Sequence, residues 1–590
     1  MARELVFPRT RHLVLSAAGQ AQAGAEAAIV PVAVAEELAR AVPPVGTALP
    51  SAAQPGAPGV PEPGALPAAS PVPALAPGAA PASAPPKTAA SAPPGILPRV
   101  VEVDIGSAGG ERDRCRDITG AELQLRCPSS LEGREHAGLA AAHAARLGEA
   151  VLLSGLDRWY RLGAEGAGYC RSCELALVEQ LREAYGDHVQ PFDPLEGLKA
   201  SSLPLPERPF ARQKSALRLA DAQEAVKRAV LRARDEARRA RSLEIAVLGK
   251  VGPMTGLSLA LCRHLDGLVF ELASFDPQEA LLPLLAARAA LGQRPAIGLV
   301  PEGATIAQVR QLAALSSACD TDLMLPSSAS PEAEAALEGH LRFMRLVRER
   351  FRPQAPLVDA ELLVSPSCDH WTDGAHLKAA SAALQAVVKA QLLPAVRLEL
   401  SGGVKAPLLI LAAASALPPA DAQAARRHVE GGGDALILGQ CLALDEEGRP
   451  GEPLFPEVKS GLDRVKEGRV YRTDDSSPAA LARALRELAG RGRAQITLAG
   501  RGKLFARAYL DPERKLDVHL VNLDGALAPA QGVQVSIAGQ AAGGGRLGYW
   551  FSPERDGGKD GERITLSPSG FSVSTILPSV SAYALLAIPR

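Results

Sequence analysis

Short apolar runs recur through residues 99–325, with amphipathic stretches between them, and this alternation constrains the chain more than any motif does. The runs are 99–105, 150–154, 244–249, 267–272, 295–300 and 321–325, and helical patterns fall between them, for example at 131–147 and 209–241. Strands that alternate with helices pair in parallel, because a parallel neighbour is reached only through a long crossover. Two more apolar patches, 12–17 and 27–35, stand ahead of these runs. Counted in, they bring the strands to eight, an α/β fold with a closed (β/α)8-type barrel. Read as a leader, they leave the barrel incomplete at its N-terminus. Both readings of residues 1–44 are open.

The chain has 590 residues, more than one hydrophobic core accommodates. Residues 45–97 are rich in Ala, Pro and Gly and almost uncharged, which reads as a linker or a disordered insertion. The barrel-like region then spans 98–354. A second alternating unit spans 355–492, with strands expected at 361–365, 396–400, 407–412, 435–439 and 469–471 and helices at 376–392, 419–430 and 478–490. This is the pattern of a small Rossmann-like, doubly wound sheet. From 493 to 590 the pattern becomes alternating strands broken by Gly, Pro and Asp, a small all-β sandwich.

Charge and cysteine content narrow the partners. The 64 basic and 65 acidic residues cancel, so nothing attracts nucleic acid or an anionic membrane surface. No apolar run reaches the ~20 residues of a membrane helix. The N-terminal patch is short for an export signal and Glu4 precedes it, so the compartment stays open. Eight cysteines in this length are no disulfide scaffold. Only Cys170 and Cys173 are close together, with Cys115 and Cys127 upstream in the same lobe. Four thiolates would make a closed structural zinc site, and the pair alone would be free or disulfide-linked. Beyond this candidate zinc, the sequence calls for no cofactor.

Residues 148–187 concentrate the candidate chemistry: an apolar strand, then Asp157, Arg158, Trp159 and Tyr160, then the cysteine pair and an amphipathic helix. Three acids, Asp157, Glu271 and Glu302, follow strand ends, where a parallel barrel presents its active face. Hydrolysis of a glycosidic bond uses two such groups, one protonating the leaving oxygen and one acting as nucleophile or base. Glu271 closes an apolar strand and is the candidate nucleophile or base. Asp157 is the candidate acid, its pKa raised if Trp159 and Tyr160 pack on it. The competing structural reading has these acids capping helices or pairing with Arg158 and Arg263. Trp159, Tyr160 and Trp371 are candidates to stack on a sugar, Arg158 to orient it, and Asp104 and Glu302 to contact it.

The segments 168–187 (GYCRSC and the helix after it), 406–439 and 517–524 (DVHLVNLD), in that order, resemble family 42 glycoside hydrolases, the β-galactosidase type. The resemblance implies a barrel, a glutamine-amidotransferase-like domain used for oligomerisation and a β-sandwich, acting on a carbohydrate. It implies a third cysteine at the position of Gly168, and Asn-Glu after the fourth strand, where this chain has Gly-Leu-Asp157. A catalytically silent carbohydrate-binding or scaffold protein is therefore the alternative to a hydrolase. Within 355–492, Cys441 shows no nucleophile elbow, and Gly431–Gly433 reads as a helix terminator, so that region is expected to pack or oligomerise. Asp369, His370, Asp373 and His376 gather before a helix, as a metal or substrate site or, in the simpler reading, with Asp373 as its cap.

Overall fold

The computed structural model describes residues 15–16, 27–31, 99–107, 114–117, 119–159, 168–186, 211–347, 355–372, 374–444, 450–489, 494–500, 502–510, 515–543, 545–554 and 561–589. The expected linker at 45–97 lies outside them, as do Tyr160, Asp373 and the side chains of Arg158 and Trp159.

In chain order, β1 (Leu15–Ser16), β2 (Ala27–Pro31) and β3 (Arg99–Asp104) precede a hairpin of β4 (Arg114–Arg116) and β5 (Glu122–Arg126). Then come α1 (Leu131–Leu147), β6 (Ala150–Ser154), α2 (Arg171–Tyr185), α3 (Ala211–Arg241), β7 (Ala246–Pro253) and α4 (Gly256–Leu261). The region ends with β8 (Gly267–Glu271), α5 (Pro277–Leu291), β9 (Ala296–Leu299), α6 (Ile306–Ala318), β10 (Asp322–Met324) and α7 (Pro331–Leu346). Eight of these strands form one sheet, ordered β1-β2-β3-β6-β7-β8-β9-β10, and every neighbouring pair is parallel. Both N-terminal patches thus contribute strands.

The strands are apolar on both faces because both faces are covered: Val151, Leu152 and Leu153 are all fully buried. Each such side chain contributes about 1.5–3 kcal/mol over exposure, enough to fix the register. The helices between them start where the sequence supplies a cap. Ser130 accepts from Gly133 N at the start of α1, and Asp276 accepts from Gln278 N ahead of Pro277 in α5. Thr305 and Gln308 close a reciprocal capping box on α6.

A second, six-stranded sheet runs Pro394–Arg397, Ala360–Leu363, Leu408–Ala412, Asp434–Leu438, Gly468–Thr473 and Gly461–Val465, all parallel but the last. Its strand order reverses at Ala360–Leu363, as in a doubly wound sheet. The helix Pro419–Glu430 ends at the three glycines, and Gly432 takes the left-handed φ of 96°. The C-terminal region is antiparallel: a six-stranded sheet, joined at one edge by Ala355–Pro356, faces a four-stranded one. Val518, Leu520 and Leu586 of the first pack against Val533, Val535 and Leu577 of the second. His519 and Asn522 serve this packing, His519 through the Tyr583 hydroxyl and Asn522 through Ala528 O.

Candidate functional site

Two clusters stand out: carboxylates where β6 and β8 end, and sulfurs between the β4–β5 hairpin and α2. The first depends on how β6 turns. Gly155 follows it with φ 78°, a conformation a side chain resists, and Leu156, fully buried, pins the turn. A short 3-10 turn, Leu156–Trp159, then brings Asp157 back over the end of the sheet. Glu271 is exposed as the last residue of β8.

Gly252, near the end of β7, stands between the two acids. A Cβ placed on it would lie 2.9 Å from Asp157 Oδ2 and 3.8 Å from Glu271 Oε2. Measured from one point, these distances hold the two oxygens no more than about 7 Å apart, which admits the carboxyl spacing of a two-carboxylate mechanism. The pairing of β7 with β8 also shifts register between Val251 and Pro253, so the strand bulges at this glycine. Arg263, an expected partner for these acids, instead donates to Gln223 and His264.

Alternation along β7 puts Lys250 on the same face as Gly252, and its Nζ is 2.9 Å from Glu102 Oε1 of β3. This ion pair is a polar layer above the apolar cluster of Val100, Leu152, Leu248, Val269 and Ile297. Sequence reading did not single it out. The signal was there: each is a charge inside an otherwise apolar run.

The other expected contact residues fall elsewhere. Asp104 folds back on its own loop: Oδ1 accepts from Gly106 N (2.8 Å) and Ser107 N (3.0 Å), and Oδ2 from Ser107 Oγ (2.6 Å). It also fills the space beside Gly155, so it supports the Asp157 turn from behind. Glu302 is exposed in the turn after β9. Trp371, expected towards the site, packs instead between the Tyr169–Leu177–Leu181 cluster and the core of the second sheet.

The Asp369–His376 segment is occupied by structural bonds. Asp369 Oδ2 accepts from Gly256 N of α4 (2.7 Å) and Oδ1 from Leu377 N (3.1 Å). His376, fully buried, bridges Ser365 N (2.9 Å) and Ala412 O (2.6 Å). These groups sit at the strand-order reversal, where a doubly wound sheet holds its ligand. The short helix α8 (Pro366–Trp371) fills that crevice and packs on α3 and α4.

The second cluster gathers Cys115 from β4, Cys127 just after β5, Cys170 as N-cap of α2 and Cys173 from its first turn. All four sulfurs lie within 4.8 Å of one another and all are buried. Cys127 Sγ is 3.4 Å from both Cys170 and Cys173, and those two are 3.6 Å apart. These spacings exclude a disulfide and approach the ~3.8 Å between thiolates on a tetrahedral zinc with Zn–S bonds of about 2.3 Å. Bonds to Cys115, Cys127 and Cys173 pull the Cys170 thiol below its ordinary range. The donor set fits a closed structural zinc site, with Cys115, Cys127, Cys170 and Cys173 as ligands. Zinc there would tie the hairpin to α2 and supply no open coordination position.

No family model matches the sequence. No curated protein matches it either. Solved structures do match in fold. A β-galactosidase from Bacillus circulans sp. alkalophilus superposes with TM-score 0.60 at 10% identity, covering 83% of this chain and 89% of its own. A catalytic mutant of a family 42 β-galactosidase from G. stearothermophilus gives 0.58 at 10% identity, covering 84% and 88%. The chain has the fold of the family 42 glycoside hydrolases. The same fold extends to an α-L-fucosidase from Paenibacillus thiaminolyticus, at TM-score 0.56 and 12% identity over 84% of this chain and 88% of that one. Among the described residues no helix is long and apolar enough to cross a membrane.

Proposed function

We propose that this protein hydrolyses an O-glycosidic bond in an oligo- or polysaccharide, with Asp157 as acid and Glu271 as nucleophile or base. The single observation that carries the reading is the pair of carboxylates flanking Gly252, within about 7 Å of each other. We read the eight-stranded sheet as a barrel. Parallel neighbours follow in chain order, and side chains from β3 through β10 meet in one apolar cluster that includes both Val100 and Met324. In that reading Glu102 and Lys250 line the mouth beneath the acids. Residues 98–354 are then the catalytic part, 355–492 the packing and oligomerising part, and 493–590 the sandwich.

In this mechanism Asp157 gives a proton to the leaving oxygen, while Glu271 attacks the anomeric carbon or activates water.

A second reading is favoured by one observation: an aspartate in a Gly-Leu-Asp turn stands where the resemblance implies Asn-Glu. In it the protein binds carbohydrate without cleaving it. Hydrolysis of chromogenic glycosides by the wild type, Glu271→Gln and Asp157→Asn separates the two. The hydrolytic reading expects wild-type turnover and a loss of about 10³-fold or more in Glu271→Gln. Equal turnover in wild type and Glu271→Gln removes Glu271 from the mechanism. Sugar binding without turnover in any form establishes the silent reading.

A further inference from the structure

The four-cysteine cluster is surrounded by charge from one face of α3. Lys214 and Arg218, one helical turn apart, are 3% and 2% exposed, and Arg218 is the largest fully buried side chain among the described residues. Lys214 Nζ donates to Gly168 O at 2.8 Å and sits 3.0 Å over the Tyr169 ring. Neither contact cancels its charge. The Arg218 guanidinium faces the sulfurs of Cys115, Cys127 and Cys173. On the next turn Asp221 accepts from Ser129 Oγ (2.5 Å), which in turn accepts from Cys173 Sγ (3.3 Å), and Arg134 pairs with Asp221 at 3.4 Å.

Cations packed against sulfur favour its thiolate form, and thiolates are the form that holds a metal. A divalent metal with four thiolates carries a net charge of −2, which Lys214 and Arg218 together cancel, and the Asp221–Arg134 pair adds nothing to the sum. A second observation concerns position 168. A Cβ on Gly168, whose φ is 110°, would run into the Arg218 guanidinium, with Cδ and Cζ only 3.0 Å away. The space beside position 168 is thus filled by arginine.

We propose that Arg218 and Lys214 are the built-in countercharges of a tetrathiolate divalent-metal site. Arg218 takes the room of the cysteine that the family 42 resemblance implies at position 168, and Cys115 and Cys127 at the β4–β5 hairpin complete the four thiolates. This rests on reading the four cysteines as a zinc site. Both cations act through the thiolates, as positioning residues.

The test uses the full chain, purified under reducing conditions. Zinc content is measured by elemental analysis, and affinity by competition with a chromogenic chelator, for wild type, Arg218→Met, Lys214→Met, Arg218→Lys and Lys214→Arg. The absorption of the cobalt-substituted protein reports whether four sulfurs still bind. The wild type is expected to hold one zinc. Each methionine variant should lose about 10–100-fold in affinity with the four-sulfur cobalt spectrum kept, and each charge-conserving variant should regain most of that loss. A wild type without stoichiometric metal overturns the zinc reading itself. A metal-loaded wild type whose methionine variants bind as tightly overturns only the countercharge assignment. So does an Arg218→Lys variant as weak as Arg218→Met, which would make the arginine a packing residue.

Discussion

At the scale of single residues, the absence of one side chain sets the geometry of the carboxylate pair. Gly252 leaves room for Asp157 Oδ2 at 2.9 Å from where its Cβ would be, closer than real Cβ contacts come. Gly252→Ala is therefore expected to displace Asp157 and cut turnover about 10²-fold, because small misplacements at a reacting centre are costly. Its thermal midpoint should stay close to wild type, since Asp157 is free to swing outward. A fall in midpoint with unchanged turnover would show that the glycine serves only the bulge in β7. The acids themselves were legible because each follows an apolar run, where a charge needs a reason. Glu102 and Lys250 obey the same rule but sit mid-strand, and only the register of β3, β6 and β7 brings them 2.9 Å apart. That register is a tertiary fact, hidden from periodicity.

Among the elements, α8 packs on both α3 and α4. It is six residues long and too short to hold itself. Ser365 caps it through Cys368 N, Asp369 fastens it to α4, and His370 Nε2 reaches Ser215 O of α3 at 2.9 Å. Asp369→Ala would strip acceptors from two backbone amides, Gly256 N and Leu377 N. A cost of about 1–3 kcal/mol per orphaned group is expected, read as a lower urea midpoint of the intact chain. An unchanged midpoint would mean that other acceptors reach those amides. Strand positions across 99–325 were readable because buried parallel strands are unbroken apolar runs, yet their ends were not. The strand expected at 244–249 continues to Pro253 as β7, since Gly252 and Pro253 look like a stop and form a bulge instead. The role of Trp371 was equally hidden, because an aromatic before a helix looks the same whether it meets a sugar or a neighbouring core.

Among the described residues, polar contacts link the three regions of the molecule. Gln311 of α6 donates to Asn522 O and Asp524 O of the sandwich, Tyr509 donates to Ala318 O, and Arg507 donates to Pro394 O of the second sheet. His340 of α7 stands edge-on to Tyr583 and bonds to Ser317 Oγ at 2.8 Å. Burial pushes His340 and His370 down to about 4, so both are neutral in the fold. Their folded values lie below the unfolded 6.5, so the unfolded chain takes up the protons first as the medium acidifies. Their stabilisation is complete above about pH 6.5 and is lost progressively as pH falls towards 4, at about 1.4 kcal/mol per unit for each histidine. Urea midpoints between pH 7 and 4.5 should fall steeply in the wild type and less steeply in His340→Gln; parallel curves would exclude this histidine as a cause.

The wedge made by α8 also has a consequence for descent. Its residues, with His376 just beyond it, are anchored in α3, in α4 and at the reversal of the second sheet, so recombination that separates residues 211–261 from 366–376 would scatter one interlocked joint between two parents. Lineages carrying this architecture should exchange those stretches together.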